Sequence, residues 1–277
     1  MKRHERGLSW WLLLAFLAVV VAVSIFPFAF ALSTSLRPRA ELFSFPPTWF
    51  PKTWAWENFV TVWTAVPLLR YVLNSVVVSV LATLLNMAFA IPAGYALARL
   101  NFPGKRLFRQ ALLVTQMFSP VVLLIGLFRF MNQVHLLDNN ASLVITYAAL
   151  SLAFSVWFLA GYFESIPIEI EEAAMMDGCT RVGALVRVVL PMSKPALVAS
   201  GVFAFIWAWN EFMIALTFIS TPDNRTLPLG IYSFLGQYSV EWNYLMAAAL
   251  IAIVPVLILF LLIEKNLVKG LTAGAVK

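Results

Sequence analysis

Residues 171–195 read EEAAMMDGCTRVGALVRVVLPMSKP, a polar break in a chain that is largely a series of apolar spans. The stretch is patterned as two short helices. Pro167 suits a first turn, where its missing N–H would be unsatisfied anyway. Glu169, Glu171 and Glu172 then fall in the opening turns, where the positive end of the helix dipole favours carboxylates. Gly178 closes the run Ile168 to Asp177 as a C′ glycine. Thr180 caps a second piece that runs through Val189 and is ended by Pro191. Neither piece reaches the roughly 12–15 residues at which an isolated helix becomes marginal. Something else must hold them.

At 100° per residue, Ile168, Glu172, Met175 and Met176 share one face of the first piece. A carboxylate framed by isoleucine and two adaptable methionines has the composition of a docking knob. The plainer reading is a loop folded back onto its own helix ends. The residues alone leave both open.

The spacing Glu172-Ala173-Ala174, three residues, Gly178, nine residues, then Val188-x-Leu190-Pro191 fixes seven positions over twenty residues between two hydrophobic spans. It resembles the EAA loop of ABC-importer permease subunits. Val188 stands where that family commonly has isoleucine, a small departure. The resemblance implies that Glu172, Ala173, Ala174, Asp177, Gly178, Leu190 and Pro191 form a coupling helix and its support. In that family the coupling helix seats in a cleft of a separate ATPase subunit.

Composition sets the class independently. Hydrophobic residues make up 62% of the 277 and charged residues 12%, about half the roughly 25% of ordinary globular proteins. Mean hydropathy is +0.88. The net charge of +6 comes from basic residues scattered at span ends, not from a patch with interleaved aromatics. Nucleic acid is therefore not an expected partner. One cysteine, Cys179, excludes an internal disulfide and a cysteine-rich metal site. His4 and His135 lack ligand spacing, and no phosphate-binding G-x-x-x-x-G-K-[ST] occurs. No paired carboxylates or triad suggest catalysis, and no cofactor is expected.

In chain order, MKRHER precedes an apolar run from Trp10 to Leu32. Ala29-Phe30-Ala31 resembles a signal-peptidase site, but this run is longer than the 7–15 residues of a signal peptide's apolar region. At 1.5 Å per residue it spans about 34 Å, enough for the hydrocarbon core, so we read it as an uncleaved first span. Leu36 to Arg70 carries five prolines and tryptophans 49, 54, 56 and 63, the makeup of an interfacial segment. Tyr71 to Ala98, Arg109 to Arg129 and Asp138 to Glu164 frame the second, third and fourth spans. Lys194 opens the fifth, which ends near Ile219. Glu241 and Glu264 frame the sixth.

With the N-terminus inside, 13 of the 19 lysines and arginines fall on the cytosolic side, which satisfies the positive-inside bias. The 165–195 loop then faces the cytosol.

Within the spans, Glu211 follows Asn210 in WAWNEF, about two-thirds of the way along the fifth. A carboxylate at that depth costs a few kcal/mol unless paired or hydrated, and often marks a pathway. Hydrogen bonding to a neighbouring helix or to Arg129 is the structural alternative. Asn86, Pro92, Pro120 and Pro255 fit packing and kinking, and Arg129 and His135 fit snorkelling at an interface. The W-N-E-F run, Thr221-Pro222-Asp223 and Thr226-Leu227-Pro228-Leu229-Gly230 are similar to carbohydrate-importer permeases of the maltose and trehalose type. That likeness implies a translocation path at Asn210 and Glu211. It also implies a binding-protein contact loop of Asp223, Asn224, Arg225, Thr226, Leu227, Pro228 and Gly230.

The expectation is an all-α integral membrane protein of one domain (1–277), with six transmembrane helices and a cytosolic coupling helix between the fourth and fifth. It resembles a non-enzymatic permease subunit of a bacterial inner-membrane ABC importer for sugars, both termini cytosolic. The implied partners are a second homologous permease subunit, two ATPase subunits, an extracytoplasmic solute-binding protein, the sugar and membrane lipid. The rival readings are an ion-coupled secondary transporter, with Glu211 as carrier, and a non-transporting membrane scaffold. Neither rival requires the EAA spacing, and the former usually shows an inverted repeat.

Overall fold

A computed structural model describes residues 8–46, 48–236 and 239–273, with side chains described for all of these but 8, 9, 262 and 265–273. Lys2, Arg3, Arg6 and Lys277, which contribute to the charge bias, lie outside the described residues, as do both termini. The described chain is almost wholly helical. Four helices are long and apolar enough to cross a membrane: Trp10–Ser35, Leu68–Arg99, Asn140–Ser165 and Trp242–Leu261. Two further segments meet that test only as bent pairs of helices.

The chain divides into two compact units. The first, within Met1–Leu68 and Ile231–Val254, holds α1 (Leu8–Ser35), α2 (Arg39–Leu42), α3 (Asn58–Ala65) and the start of the last helix. No residue of the apolar window of α1 is buried, which suits a helix whose packing partner is lipid. Past its end, the segment buries Leu36, Ala55 and Val62 and is also tied down by side-chain amides. Asn58 donates to the Ser35 and Arg37 carbonyls at 2.8 and 2.9 Å. Asn243 in turn donates to Asn58 at 3.2 Å, and Arg39 pairs with Glu241.

The second unit, within Leu69–Gly230 and Pro255–Lys277, carries α4 (Leu68–Arg99), α5 (Lys105–Thr115), α6 (Pro120–Gln133) and α7 (Asn140–Ser165). After these come α8 (Ile168–Met176), α9 (Arg181–Ala184), a π-helical turn (Leu185–Val189) and α10 (Leu190–Met192). α11 (Lys194–Asn210), α12 (Met213–Phe218) and α13 (Leu227–Tyr232) complete it, and α14 (Trp242–Ala273) is shared between the units. α4 and α7 approach backbone to backbone: a Cβ on Gly94 would sit 3.2 Å from the Ala160 nitrogen and the Leu159 Cβ. Small residues at a crossing are how membrane helices gain packing when lipid offers no hydrophobic contrast. Val78 and Ala82 of α4 enter one apolar cluster with Leu143, Tyr147, Ile214 and Phe218. Further along α4, Ala90 and Leu97 enter another with Leu159, Phe163, Leu185 and Val189.

Two expected spans are not single helices. The third is broken between Thr115 and Pro120, where α5 and α6 differ in direction by 99°. Ser119 before the proline is held extended (φ −66°, ψ 131°), as the proline ring requires. The fifth stops at Asn210 and resumes at Met213. The second short helix of the 165–195 loop also runs past Val189 to Met192. Pro191 does not end it, because the preceding π turn, closed by the Leu190 N–H on the Leu185 carbonyl, widens the spiral where the ring would clash.

Candidate functional site

Three groups of residues carry the sites expected from sequence. In the 165–195 loop, Pro167 is the N-cap and α8 begins at Ile168. The helix ends in a Schellman arrangement. The Gly178 N–H donates to Met175 O at 3.1 Å and the Cys179 N–H to Ala174 O at 3.0 Å, with Gly178 at φ +91°. The Thr180 hydroxyl accepts from the Gly183 N–H at 3.1 Å and caps α9. What holds α8 is Glu171, only 3% exposed. Its carboxylate is paired with Arg99 and accepts from the Tyr95 hydroxyl at 2.8 Å. Arg99 also donates to the Ile166 carbonyl at 2.8 Å, so one guanidinium holds the chain both before and within α8.

This anchor turns the opposite face outward. Glu172, Ala173, Asp177, Gly178 and Pro191 are exposed, while Ala174 and Leu190 are half-buried. Ile168 and Met176 are exposed, the latter by 87%, and Met175 is half-buried. The folded-back face and the exposed face that frames Glu172 are therefore two sides of the same helix. Glu171, Arg99 and Tyr95 escaped the sequence reading as a set. Their one signal is the Tyr95-x-x-x-Arg99 spacing, which puts a hydroxyl and a guanidinium on one face at the end of a span.

The second group surrounds Glu211. It does not lie within a helix: it follows Asn210 with extended backbone (φ −69°, ψ 129°). Its carboxylate folds forward to accept from the N–H groups of Ile214 at 2.8 Å and Ala215 at 3.2 Å. These are first-turn donors of α12 that lack an intrahelical partner. The Tyr147 hydroxyl of α7 donates to the same carboxylate at 2.7 Å, and the Tyr147 ring meets Trp207 edge-on at 5.6 Å. Hydrogen bonding to a neighbouring helix is thus realised, through Tyr147. Glu211 and Asn210 also line an open cavity of ≈ 590 Å³, together with Trp207, Phe212 and the start of α6 at Pro120 and Val121. Both helix breaks meet at this cavity. Interrupted backbone at membrane depth is tolerated where it is buried in protein or lines a wet cavity.

The third group is the 221–230 loop. Asn74 of α4 donates to the Asp223 and Arg225 carbonyls at 2.8 and 2.9 Å, and Arg70 pairs with Asp223 at 3.0 Å. Asn224 donates to the Asp138 carbonyl at 2.6 Å. The Asp138 carboxylate accepts from the Thr221 hydroxyl and from the N–H groups of Ser220 and Thr221 at 3.0 and 2.9 Å. The Thr221 hydroxyl, then its N–H, are the main causes that hold this carboxyl below its ordinary range. Asp223 is exposed, and Asn224, Arg225 and Pro228 are half-buried. Thr226, Leu227, Leu229 and Gly230 are buried within the chain, so these positions support the loop from beneath. Gly230 is required by close approach: a Cβ there would lie 2.0 Å from the Tyr71 ring.

Broken helices around a mostly apolar cavity whose polar groups are Asn210 and Glu211, with a loop helix anchored on one face, are consistent with a transporter component. Residues 90–273 match the family described as binding-protein-dependent transport system inner membrane component, and the chain belongs to that family. It is 40% identical to the sulfoquinovosyl glycerol transport system permease protein SmoH of Agrobacterium fabrum, over 94% of this chain and 91% of that one. It is 36% identical to the diacetylchitobiose uptake system permease protein DasC of Streptomyces coelicolor, over 94% and 95%. It is 35% identical to the trehalose/maltose transport system permease protein MalG of Thermococcus litoralis, over 94% of each. Its fold matches a chain in the crystal structure of a bacterial ABC transporter for import of the acidic polysaccharide alginate. That match has a TM-score of 0.80 at 22% identity and covers 96% of this chain and 99% of that chain.

Proposed function

We propose that this chain is one of two permease subunits of an ATP-driven importer of a sugar or sugar conjugate. Both termini are cytosolic; α5 with α6 counts as the third span and α11 with α12 as the fifth, giving six in a single permease domain. ATP is hydrolysed by two separate ATPase subunits, and an extracytoplasmic binding protein delivers the substrate. The 165–195 loop is the coupling element: Glu172 and its apolar frame seat in the ATPase, and Glu171 with Arg99 passes that movement to α4 and α7. Asn210 and Glu211 line the path where α11 and α6 are interrupted. The binding protein is contacted through Asp223, Asn224, Arg225 and Pro228, with Thr226, Leu227 and Gly230 as the base of that loop.

The observation that carries this reading is α8 itself, a nine-residue helix fixed by a buried ion pair on one face and exposing a carboxylate among apolar side chains on the other. Support for sugar comes from the names of the relatives and from the cavity, where Trp207 offers an apolar face and Asn210 and Glu211 offer polar groups. The test is co-purification of the full-length chain with its ATPase, and hydrolysis stimulated by loaded binding protein. Stable ATPase association that Glu172→Lys abolishes supports the reading; wild-type hydrolysis and uptake in Glu172→Lys contradict it.

A further inference from the structure

The first unit holds a cavity of ≈ 430 Å³ that the transport reading does not use. Its walls are Phe30 and Thr34 at the end of α1, Phe43 and Trp49 of the following segment, and Trp242 and Met246 at the start of α14. Aromatic and aliphatic surface dominates, and Arg37 supplies the one charge among the described lining residues. The Arg37 Nε is buried and has no hydrogen-bond partner among the described residues. One terminal nitrogen donates to the Ser33 hydroxyl at 3.2 Å. Glu41 feels the Arg37 charge, but its carboxylate accepts from the Lys52 N–H at 2.8 Å and, more weakly, from Thr48. A buried guanidinium N–H without an acceptor is costly to leave unmade.

The surroundings say what acceptor is at hand. Arg37 stands two residues beyond the end of the 28-residue α1, which places it at headgroup depth. Phe45, Phe50 and Trp49 nearby in sequence are 95%, 77% and 69% exposed, the aromatic belt of a membrane interface. At that depth the abundant anion is a lipid phosphate, and the guanidinium fork matches phosphate geometry.

We propose that this cavity binds one anionic glycerophospholipid. Its phosphate accepts from the Arg37 Nε–H, and the first part of one acyl chain lies against Phe30, Trp49 and Met246. The bound lipid adds to the packing of the segment after α1, which the Asn58 amide, the Arg39–Glu241 pair and buried Leu36, Ala55 and Val62 already hold.

The test is native mass spectrometry of the full-length chain released from nanodiscs of phosphatidylglycerol or of phosphatidylcholine. Wild type is expected to retain one phosphatidylglycerol with about tenfold preference over Arg37→Gln, the scale of one charge-assisted hydrogen bond, and with preference over phosphatidylcholine. Met246→Trp keeps the charge and fills the cavity, and is expected to lose the same lipid. Equal retention by wild type and either variant overturns the proposal. So does displacement of the lipid by glycerol phosphate, which would assign the site to a soluble phosphate compound. Retention of phosphatidylcholine equal to phosphatidylglycerol also overturns it.

Discussion

Glu171 and Glu172 are adjacent in sequence and face opposite ways: Glu171 is buried against Arg99 and Tyr95, and Glu172 is exposed. The doublet therefore divides two tasks, holding α8 and presenting it. Glu171→Gln leaves Arg99, whose side chain is 8% exposed, without its counter-charge. Removing one member of a buried pair costs roughly 3–5 kcal/mol. The expected outcome is loosening of the 165–195 loop, read as faster labelling of Cys179 and lower thermal stability. Glu172→Lys is expected to leave both unchanged and to lose ATPase association.

Gly178 tests the backbone alone. An added Cβ meets nothing within 4 Å, so Gly178→Ala introduces no clash and costs only the left-handed conformation, about 1–2 kcal/mol. Thermal unfolding of the purified chain should show a modest decrease. A larger loss would mean that the turn is packed against something else.

Gly230 and Tyr71 should couple. Gly230→Ala forces its Cβ into the buried Tyr71 ring, and overpacking costs typically about 1–3 kcal/mol. Tyr71→Ala makes room, so the double variant should recover part of the loss made by Gly230→Ala. Simple addition of the two losses, measured by thermal unfolding, would contradict the contact.

Asp138 sets a pH dependence. Its carboxyl is held below the ordinary value of 3.8 by the Thr221 hydroxyl and N–H. The stabilisation is therefore fully present above that value and is lost only as pH falls through the lower folded-state value. Hydrogen exchange at Ser220 and Thr221, corrected for intrinsic rates, should be unchanged between pH 7 and 5. Asp138→Asn should exchange faster at both.

Much of this was legible in the sequence because it is local. The Gly178 turn, the Thr180 cap and the Pro167 start depend on residues within one turn of each other, and the four long spans on unbroken apolar runs. The breaks at Gln116 to Ser119 and at Glu211 were not legible, since both sit inside apolar runs where composition alone reads as continuous helix. Pro120 marked the first only as a kink. Glu211 marked the second as a buried charge, whereas its partners, the N–H groups of Ile214 and Ala215 and the Tyr147 hydroxyl, appear once the chain has already parted. The Arg99 to Glu171 pair spans 72 residues, and nothing in local spacing joins them.

The role of Glu211 separates two mechanisms. If it shapes the cavity and holds α12, Glu211→Gln keeps one acceptor oxygen and partial uptake, and Glu211→Leu abolishes it. Tyr147→Phe removes one hydrogen bond to a carboxylate, worth roughly 1.5–3 kcal/mol, and should lower uptake without changing its energy source. Loss of all uptake in Glu211→Gln, together with wild-type uptake that collapses with a protonophore at constant ATP, would assign the carboxylate to proton transfer.

The most direct measurement is uptake of labelled sugar into proteoliposomes that hold this chain with its partner permease, its ATPase and loaded binding protein. With ATP held constant inside, a protonophore should leave the rate unchanged, and withdrawal of ATP should stop it. Uptake that persists without ATP and collapses with the protonophore would contradict an ATP-driven permease coupled through α8.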